Sequence, residues 1–371
     1  MVERRFLKQI DWVLVLCVLA LCVYGLLMIY SSAQGVEGGT AALAMARVEK
    51  QAIWVVVSLI AGALMMCFDY GKLVKLAAPV YWVTLGLLVV VLVLPESKGA
   101  HRWLPLGPLQ LQPSEFAKLA VVLALSVFLA EREEHKTEWR TVLASLGYVA
   151  APIALIFIEP DLGTSLVFFA VWLGMLFIFG ARLSHLGAIV GAGIVGFLGL
   201  WYVNVLKPYQ VARILVFMDH SVDPTGPGYQ LAQSKTAIAL GALTGQGFCS
   251  GTMSRLSFVP QARTDFIFTV VGEELGFIGA MLLLALYAFI IARGIVAIMN
   301  GKDAIGVLLA TGVVLMLSFH VFVNIGMTMG IMPVVGLPLP FFSYGGSNML
   351  LNMMAIGLLQ NVYMRRHKIT F

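Results

Sequence analysis

From Trp12 to Tyr30 the chain is WVLVLCVLALCVYGLLMIY, a run that contains no charged side chain. A bilayer core about 30 Å thick needs roughly 20 apolar residues in helical conformation, so this run is long enough to cross it. Backbone polar groups in lipid must be satisfied within the segment, which favours a helix over an open strand. The stretch therefore predicts a transmembrane helix, and nine further apolar runs follow it along the chain.

The composition of the whole chain agrees with a membrane protein. Hydrophobic residues make up 60% of the 371 residues and charged residues only 12%, with a mean hydropathy of +0.94. Soluble chains average about 25% charged residues, so this chain lacks the polar side chains that a soluble surface needs. The deficit excludes a soluble enzyme, a nucleic-acid-binding domain and a disordered regulator, although the net charge is +5.

Turn and loop residues separate the apolar runs from one another. Residues 1–371 are predicted to form a single membrane domain. The predicted fold class is an all-α polytopic membrane protein with about ten transmembrane helices, at 11–31, 51–68, 76–94, 114–130, 141–158, 163–181, 185–206, 266–294, 303–330 and 343–364. Of the 24 Lys and Arg residues, 14 fall in loops on one side and four in the short loops of the other. The positive-inside rule then predicts cytoplasmic termini and an extracytoplasmic loop at 207–265.

The long loop 207–265 contains a predicted amphipathic helix from Tyr229 to Leu243. Gln233 and Lys235 belong to its polar face, and a helix of this kind is expected to lie at the membrane surface. The glycine-rich stretch 241–252 is not followed by the Gly-Lys-Ser/Thr sequence of a phosphate loop. A nucleotide site is therefore not expected there.

The fourth predicted span begins with a charged pair, Glu115 and Lys118. A charge inside a membrane span costs about 2.5–3.5 kcal/mol on insertion scales, so each instance is a candidate functional group. Residues three apart share one face of a helix, which allows the two side chains to form an ion pair. Two interpretations are open: the pair only stabilises the end of the helix, or it lines a polar cavity that opens outward.

Asp265 lies where the long loop re-enters the membrane, directly before the apolar run that begins at Phe266. A carboxylate at the edge of an apolar helix is partly desolvated, which raises its pKa and suits general-base catalysis. The alternative is an N-cap for the eighth span, since Asp is a favoured cap, and the two roles are compatible. In a helix that starts near Asp265, Glu273 lies roughly 12 Å further along. At most one of Glu273 and Glu274 then shares the side of Asp265.

Other polar positions are expected to support structure or to border a cavity. Asp161 is well placed to cap the sixth span, and His320 and Asn324 are expected to form interhelical hydrogen bonds. The segment 338–347 contains two prolines and two glycines, so it is not a regular helix throughout. Irregular backbone at membrane depth is tolerated only against protein or a water-filled cavity. We therefore expect this segment to border the cavity that Asp265 faces.

The distribution of charges distinguishes two classes of membrane protein. A secondary transporter is expected to keep its ionisable site near the middle of the bilayer, often on paired broken helices. Here the charges gather at the outer ends of the fourth, fifth and eighth spans, beside the large outer loop. This distribution favours a site at the outer membrane–water boundary, for a substrate that is anchored in lipid and has a polar head outside.

Five motifs occur in order along the chain. They are Gln112-Pro-Ser-Glu-Phe-Ala-Lys118, Glu159-Pro-Asp-Leu-Gly-Thr-Ser165, Gly228-Tyr-Gln-Leu-Ala-Gln-Ser-Lys235, Thr264-Asp-Phe-Ile-Phe268 with Glu273-Glu-Leu-Gly276, and Pro338-Leu-Pro-Phe-Phe-Ser-Tyr-Gly-Gly-Ser347. Over about residues 10–365 the chain thus resembles the SEDS family (shape, elongation, division and sporulation). It resembles the RodA branch more than the FtsW branch, on the residues Gln233-Ser-Lys235, the stretch from Gly251 to Pro260, and Asn324-Ile-Gly-Met327. Gln261 departs from the pattern, because many relatives have Glu there.

The resemblance implies a peptidoglycan glycosyltransferase that polymerises lipid II outside the bacterial cytoplasmic membrane, for cell elongation and rod shape. Asp265 matches the family's essential aspartate and is expected to deprotonate the acceptor 4-hydroxyl, which attacks the donor anomeric carbon with inversion. The candidate partners of the leaving diphosphate are Lys118, Arg102 and either Arg213 or Arg263, with Glu115 holding Lys118 in place. The remaining candidate supporting or substrate-binding residues are Gln112, Ser114, Lys235, Thr264, Glu273 and Ser343.

The resemblance also implies partners. A class B penicillin-binding protein is expected to pack its single helix against spans eight and nine and to supply transpeptidation, within an elongation complex that includes MreC and MreD. A divalent cation, magnesium or manganese, is a candidate cofactor, and no nucleic acid partner is expected. A lipid II flippase and a non-catalytic scaffold stay as alternatives. A flippase needs a continuous polar path, whereas the eighth span carries no charge from Leu275 to Ala292.

Overall fold

The computed structural model describes residues 9–34, 41–94, 102–106, 109–159, 161–203, 208–218 and 226–366. Apart from a single turn of 3₁₀ helix at Glu133–His135, the regular secondary structure of these residues consists of α-helices and one β-hairpin. The elements are α1 (Trp12–Gln34), α2 (Ala41–Cys67), α3 (Tyr70–Lys75), α4 (Ala77–Val93), β1 (Leu104–Leu106), β2 (Leu109–Leu111), α5 (Pro113–Ala130), α6 (Trp139–Ile158), α7 (Leu162–Phe179), α8 (Leu183–Tyr202), α9 (Pro208–Met218), α10 (Pro227–Gly241), α11 (Thr252–Arg255), α12 (Ile267–Met299), α13 (Ala304–Met329) and α14 (Gly346–Met364).

The all-α polytopic membrane architecture predicted from the sequence is confirmed. Within the described ranges, eight helices are long and apolar enough to cross a membrane: α1, α2, α5, α6, α7, α8, α12 and α13. The other two predicted spans are also helical, as the 17 residues of α4 and the 19 residues of α14. The number of crossings and their orientation stay predictions.

The helices α8 and α14 show that lipid is the expected solvent. In α8 only His185 is buried, and large apolar side chains such as Val195 are exposed. In α14 polar side chains are buried instead, among them Asn352 and Gln360. The apolar helix therefore lies at the periphery and the polar helix inside, which is the arrangement expected when lipid surrounds the bundle.

The predicted amphipathic helix at Tyr229–Leu243 is present as α10 (Pro227–Gly241). The helix packs along α12 and α13, and its position relative to a membrane surface stays a prediction. Gly241 and Gly272 let the two backbones approach so closely that a Cβ on Gly241 would lie 1.8 Å from the Gly272 carbonyl oxygen. Ser234 fixes the contact of α10 with α13, because its hydroxyl donates to the Thr328 carbonyl oxygen at 2.8 Å.

The helix α12 is interrupted at Gly276, whose φ of 61° and ψ of −156° are not helical. The backbone of the segment 242–247 forms hydrogen bonds with the α12 backbone at this break. Gly247 N donates to Glu274 O at 2.9 Å, and Phe277 N donates to Ala242 O at 3.0 Å. The predicted span 266–294 therefore consists of two helical pieces. The break between them frees backbone groups, and the segment 242–247 satisfies these groups by hydrogen bonding.

The hairpin β1–β2 was not among the predicted elements, because two strands of three residues are too short to show alternation. Leu104 pairs with Leu111 in an antiparallel register. The hairpin is tied to the start of α14, because the Ser347 hydroxyl donates to Gln110 O at 3.2 Å and accepts from Gln112 N at 3.1 Å. These bonds bring the hairpin and two helix ends to one end of the bundle.

Candidate active site

A cavity of about 770 Å³ opens at this end of the bundle. Its walls come from the hairpin, from the first residues of α5, α7 and α14, and from the segments that precede α12 and α14. Six of the predicted site residues line it: Arg102, Gln112, Glu115, Arg213, Thr264 and Asp265. Charged residues from separate spans meet here, because Glu115, Asp161 and Asp265 all line this cavity.

The peptide backbone at Asp265 is held by two buried side chains. Asn324 Nδ2 donates to the Asp265 carbonyl oxygen at 2.8 Å and to the Leu337 carbonyl oxygen at 2.6 Å. The Ser343 hydroxyl donates to Thr264 O at 2.6 Å. The carboxylate itself is left to face the cavity, so the prediction that Asp265 caps the next helix is wrong. That helix instead begins after residue 266 without a side-chain cap.

The Asp265 carboxylate is half-buried and lies against a glycine. A Cβ on Gly336 would lie 3.2 Å from Asp265 Oδ2, and the positive φ of 77° at Gly336 also favours glycine. Burial, followed by the negative charge of Asp161, raises the pKa of Asp265 from 3.8 to about 6, against the opposing charges of two arginines. A carboxyl group with this pKa is ionised at neutral pH and is a stronger base than an exposed aspartate.

Arg102 and Arg213 are the two arginines that act on Asp265. Arg102 Nε donates to Glu159 O at 2.9 Å, and its Nη1 lies 3.7 Å from Asp161 Oδ2. Arg213 Nη1 donates to the Val335 carbonyl oxygen at 3.2 Å. Both guanidinium groups line the cavity beside a base, so the arrangement can accept a proton and stabilise an anion at the same place.

The acids of the α6–α7 turn have different environments. Asp161 caps α7 as predicted, since its Oδ1 accepts from Thr164 N at 3.1 Å. Glu159 is buried, and its Oε1 has no hydrogen-bond partner in the described part of the chain. Burial and then the charge of Asp161 raise the pKa of Glu159 to about 8, while Arg102 opposes this. Glu159 is thus mostly protonated at pH 7.

Glu115 and Lys118 form the ion pair that their spacing predicts, with Lys118 Nζ 2.7 Å from Glu115 Oε1. Lys118 Nζ also lies 3.0 Å from His320 Nε2, and His320 Nδ1 lies 2.8 Å from Met316 O. The carbonyl requires a proton on Nδ1, so Nε2 accepts from Lys118. Glu115 reaches the cavity, whereas Lys118 lies behind it and is only 2% exposed.

The comparisons with known proteins give the family. The model of the cell cycle protein family of FtsW, RodA and SpoVE matches residues 11–368. The chain belongs to this family. It is 36% identical over 359 residues to the peptidoglycan glycosyltransferase MrdB of Escherichia coli, covering 96% of this chain and 94% of that one. It is 34% identical over 365 residues to the probable peptidoglycan glycosyltransferase FtsW of Trichlorobacter lovleyi, covering 96% and 93%.

A solved member of a peptidoglycan synthase complex, described for its coordination of polymerization and crosslinking, has the same fold. It is 32% identical, with a TM-score of 0.82, and the match covers 97% of this chain and 99% of that one. Relatives named FtsW and MrdB match this chain at similar identity. The family is therefore shown, and the branch within it stays a prediction.

Six predicted site residues of this family member do not line the cavity: Ser114, Lys118, Lys235, Arg263, Glu273 and Ser343. Ser343 and Lys118 lie directly behind cavity residues, as described above. Ser114 is buried and accepts from Gln112 Nε2 at 3.0 Å. Lys235 is exposed on α10, away from the cavity. The prediction that Lys118 contacts a phosphate directly is corrected by its burial between Glu115 and His320.

Among the predicted site residues, Glu273 most clearly lies outside the site. It is fully buried, and its carboxylate accepts from Met253 N at 2.6 Å and from Ser254 N at 3.0 Å. These two N–H groups belong to α11, so Glu273 satisfies the start of this short helix. The adjacent Glu274 is occupied in a similar way, by the Ser31 hydroxyl and Cys249 N.

Three residues of the site were not predicted as such: Asn324, Asp161 and Gly336. The sequence marked Asn324 only as a partner in interhelical bonds, and Asp161 only as a cap. The positions of Asn324 and Asp161 in the sequence did not indicate that both residues lie near Asp265 in the fold. Gly336, in a segment rich in Val, Gly and Pro, is the type of residue that a close backbone approach requires.

The described residues contain no group of three or more His, Cys, Asp or Glu side chains that could hold a metal ion. A magnesium ion is often held by one or two carboxylates together with substrate phosphates, so such a group is not required for it. The candidate cation therefore stays a prediction.

Proposed function

We propose that this protein is a peptidoglycan glycosyltransferase that polymerises lipid II, with Asp265 as the general base. Asp265 takes the proton of the acceptor 4-hydroxyl as the acceptor oxygen bonds to the donor anomeric carbon. The bond from that carbon to the diphosphate breaks, with inversion, and undecaprenyl diphosphate leaves with the electron pair. General-base catalysis of this kind contributes about 10²- to 10⁴-fold in rate.

The observation that carries the proposal is the environment of Asp265. Its carboxylate faces the cavity, its backbone is held by Asn324, and its pKa is raised to about 6. A general base is most effective when its pKa lies near the operating pH. The family supports the same reading, because relatives across nearly the whole chain carry the name peptidoglycan glycosyltransferase.

Arg102 and Arg213 would stabilise the diphosphate as it leaves. Their guanidinium groups lie in the same cavity and already act on Asp265 through their charge. Arginine is well suited to phosphate, since its planar fork donates two parallel hydrogen bonds. In this proposal Glu115 belongs to the cavity wall, and Lys118 orients it from behind.

The finer assignment is to the RodA branch, in cell elongation. It rests on the sequence motifs at 233–235, 251–260 and 324–327. The proposed location is the bacterial cytoplasmic membrane, with the cavity on the extracytoplasmic side. The proposed partners are a class B penicillin-binding protein, MreC and MreD. The partner's single helix is proposed to pack against α12 and α13, and a similar protein of known structure belongs to a peptidoglycan synthase complex.

The test is polymerisation of purified lipid II by wild-type protein and by Asp265→Asn, each with its penicillin-binding partner. We expect Asp265→Asn to lose about 10²- to 10⁴-fold of the activity and to unfold at the same temperature or higher. Asp303→Asn is a matched control, because Asp303 caps α13 and does not line the cavity, and asparagine also caps well. Full polymerisation by Asp265→Asn would contradict the assignment. Lipid II transport without polymerisation by the wild type would favour a flippase.

A further inference from the structure

A chain of three buried polar side chains leads from α13 to the cavity. His320 Nε2 lies 3.0 Å from Lys118 Nζ, and Lys118 Nζ lies 2.7 Å from Glu115 Oε1. His320 and Lys118 are both almost completely buried, and of the three side chains only Glu115 lines the cavity. A polar group at such a depth depends on a protein partner, because water does not replace one. The three side chains are therefore expected to act as one unit.

The position of the proton on His320 is fixed by its own helix. Nδ1 lies 2.8 Å from the carbonyl oxygen of Met316, one turn earlier in α13. A carbonyl oxygen only accepts, so Nδ1 carries the proton. A second proton on Nε2 would face the Lys118 ammonium group, where two donors meet without an acceptor. His320 is therefore neutral and presents the lone pair of Nε2 to Lys118.

Lys118 is held from two helices by these contacts. Its ammonium group donates to Glu115 on α5 and to His320 on α13. With Glu115 as its single acceptor, the ammonium group would be free to turn between the two carboxylate oxygens. The acceptor on α13 removes that freedom, because a buried hydrogen bond to a fixed ring draws the ammonium group to one side. The contact with His320 thus accounts for the bond of Lys118 to Oε1 rather than to both oxygens.

The other carboxylate oxygen of Glu115 distinguishes this group from a purely structural ion pair. Oε2 is buried and has no hydrogen-bond partner among the residues that the structure describes. Most buried polar atoms are hydrogen-bonded, and an unpaired carboxylate oxygen is costly to bury. Because Glu115 lines the cavity, a ligand in the cavity is the donor available to Oε2. Lys118 balances the charge of the carboxylate, so the group suits a neutral hydroxyl or N–H donor.

We propose that His320 is a positioning residue for glycan polymerisation, which acts through Lys118 to keep Glu115 Oε2 free for a hydroxyl or N–H group of the substrate. The inference rests on the proposed function, because the cavity that Glu115 lines is the one that contains Asp265. Without Nε2, the ammonium group loses one of its two acceptors at a depth where water does not replace it. Lys118 then turns to both oxygens of Glu115, and the substrate loses its acceptor.

The test measures kcat and KM for lipid II polymerisation, with the penicillin-binding partner, in three variants of His320. His320→Leu removes both ring nitrogens. We expect its KM to rise roughly 10-fold with kcat nearly unchanged, because a contact with the bound substrate is lost. His320→Gln places an amide oxygen near the position of Nε2 and should recover most of the lost affinity. His320→Asn keeps only a donor near the position of Nδ1 and should be as impaired as His320→Leu.

Thr311→Val is the matched control. Thr311 is buried in the same helix, donates to the Val307 carbonyl oxygen and does not line the cavity. This variant loses a bond to the preceding turn of α13, as His320→Leu does, but no contact with Lys118. It should retain the wild-type kcat and KM. Wild-type KM in His320→Leu, or equal recovery by His320→Asn and His320→Gln, would overturn the proposal, because His320 would then serve only its own helix.

A measurement on the wild-type protein tests the same geometry without any variant. Solid-state NMR of protein labelled with ¹⁵N in histidine and lysine, in phosphatidylcholine bilayers, identifies His320 by its contact with a lysine ammonium nitrogen. We expect a protonated Nδ1 and an unprotonated Nε2. A proton on Nε2, or no such contact, would overturn the inference even in a protein that polymerises lipid II. The expected proton position in a protein that does not polymerise lipid II would contradict only the proposed function.

Discussion

Asp265 and Glu273 lie eight residues apart around the start of α12, and the protein uses them in opposite ways. The Glu273 carboxylate is fully buried and accepts hydrogen bonds from the backbone of Met253 and Ser254 and from the Ser254 hydroxyl. Asp265 is held through its backbone carbonyl instead, by Asn324, and its carboxylate faces the cavity.

The difference shows how a structural acid is distinguished from a chemical one. A carboxylate whose lone pairs are all engaged by protein donors is held in place by the protein and has no free position for a substrate. A carboxylate that is desolvated but weakly bonded has a raised pKa and can take a proton from a substrate. Both acids belong to one motif of the family, so the motif alone does not separate them.

The largest effect that we expect among the remaining variants is on Asn324, a positioning residue. Asn324→Leu removes the donor that joins the carbonyl oxygens of Asp265 and Leu337, so the carboxylate is free to shift. A displacement of about 1 Å at a reacting group can cost on the order of 10²-fold in rate. We expect kcat for lipid II polymerisation to fall by this factor with KM nearly unchanged.

The matched control is Asn300→Leu, an exposed asparagine at the C-cap of α12 whose bond lies within its own helix. It should retain full activity. Asn324→Gln, which keeps the amide donors, should recover part of the lost kcat. If Asn324→Leu lowers only the unfolding temperature and leaves kcat per folded molecule intact, then Asn324 does not position Asp265.

The opposite pattern is expected for Glu273→Gln. The glutamine places an N–H group against donors from which the carboxylate oxygen accepted hydrogen bonds. At least one charge-assisted hydrogen bond is therefore lost, at a cost of about 1.5–3 kcal/mol. We expect a lower unfolding temperature, measured by tryptophan fluorescence, with kcat per folded molecule retained. A stable Glu273→Gln protein with abolished turnover would reverse the roles of the two acids.

The smallest effect is expected for Glu159→Gln. Glu159 has a pKa of about 8 and is mostly neutral at pH 7, so an amide of the same shape replaces it without removing a charge. Polymerisation and unfolding temperature should both be unchanged at pH 7. A large loss of activity would mean that catalysis requires the ionised form of Glu159. That result would contradict the contrast drawn between Glu159 and Asp265.

The sequence was sufficient to predict the helical architecture and to propose Asp265 as the base. Runs such as Trp12–Tyr30 are long enough to be recognised without any tertiary information. Asp265 was identified because a carboxylate at the edge of an apolar run is costly, and because the motif around it resembles the family. Both inferences depend on local sequence alone.

The rest depended on contacts between distant residues. Helical spacing placed Glu115 and Lys118 on one face, but their packing against His320 decides which of them reaches the cavity. The break at Gly276 requires a partner segment for the freed backbone, and only the fold brings residues 242–247 there. Tertiary contacts of this kind also gave Glu273 its structural role.

The pH dependence of kcat/KM tests the central claim, that Asp265 is the base, most directly. The base is active when ionised and its pKa is raised to about 6, so activity should rise as the pH increases through about 6 and then level off. Asp161→Asn removes the negative charge that raises this pKa but keeps a capping side chain. The rise in activity should therefore move to lower pH in this variant. An unchanged profile, or a shift to higher pH, would contradict the account.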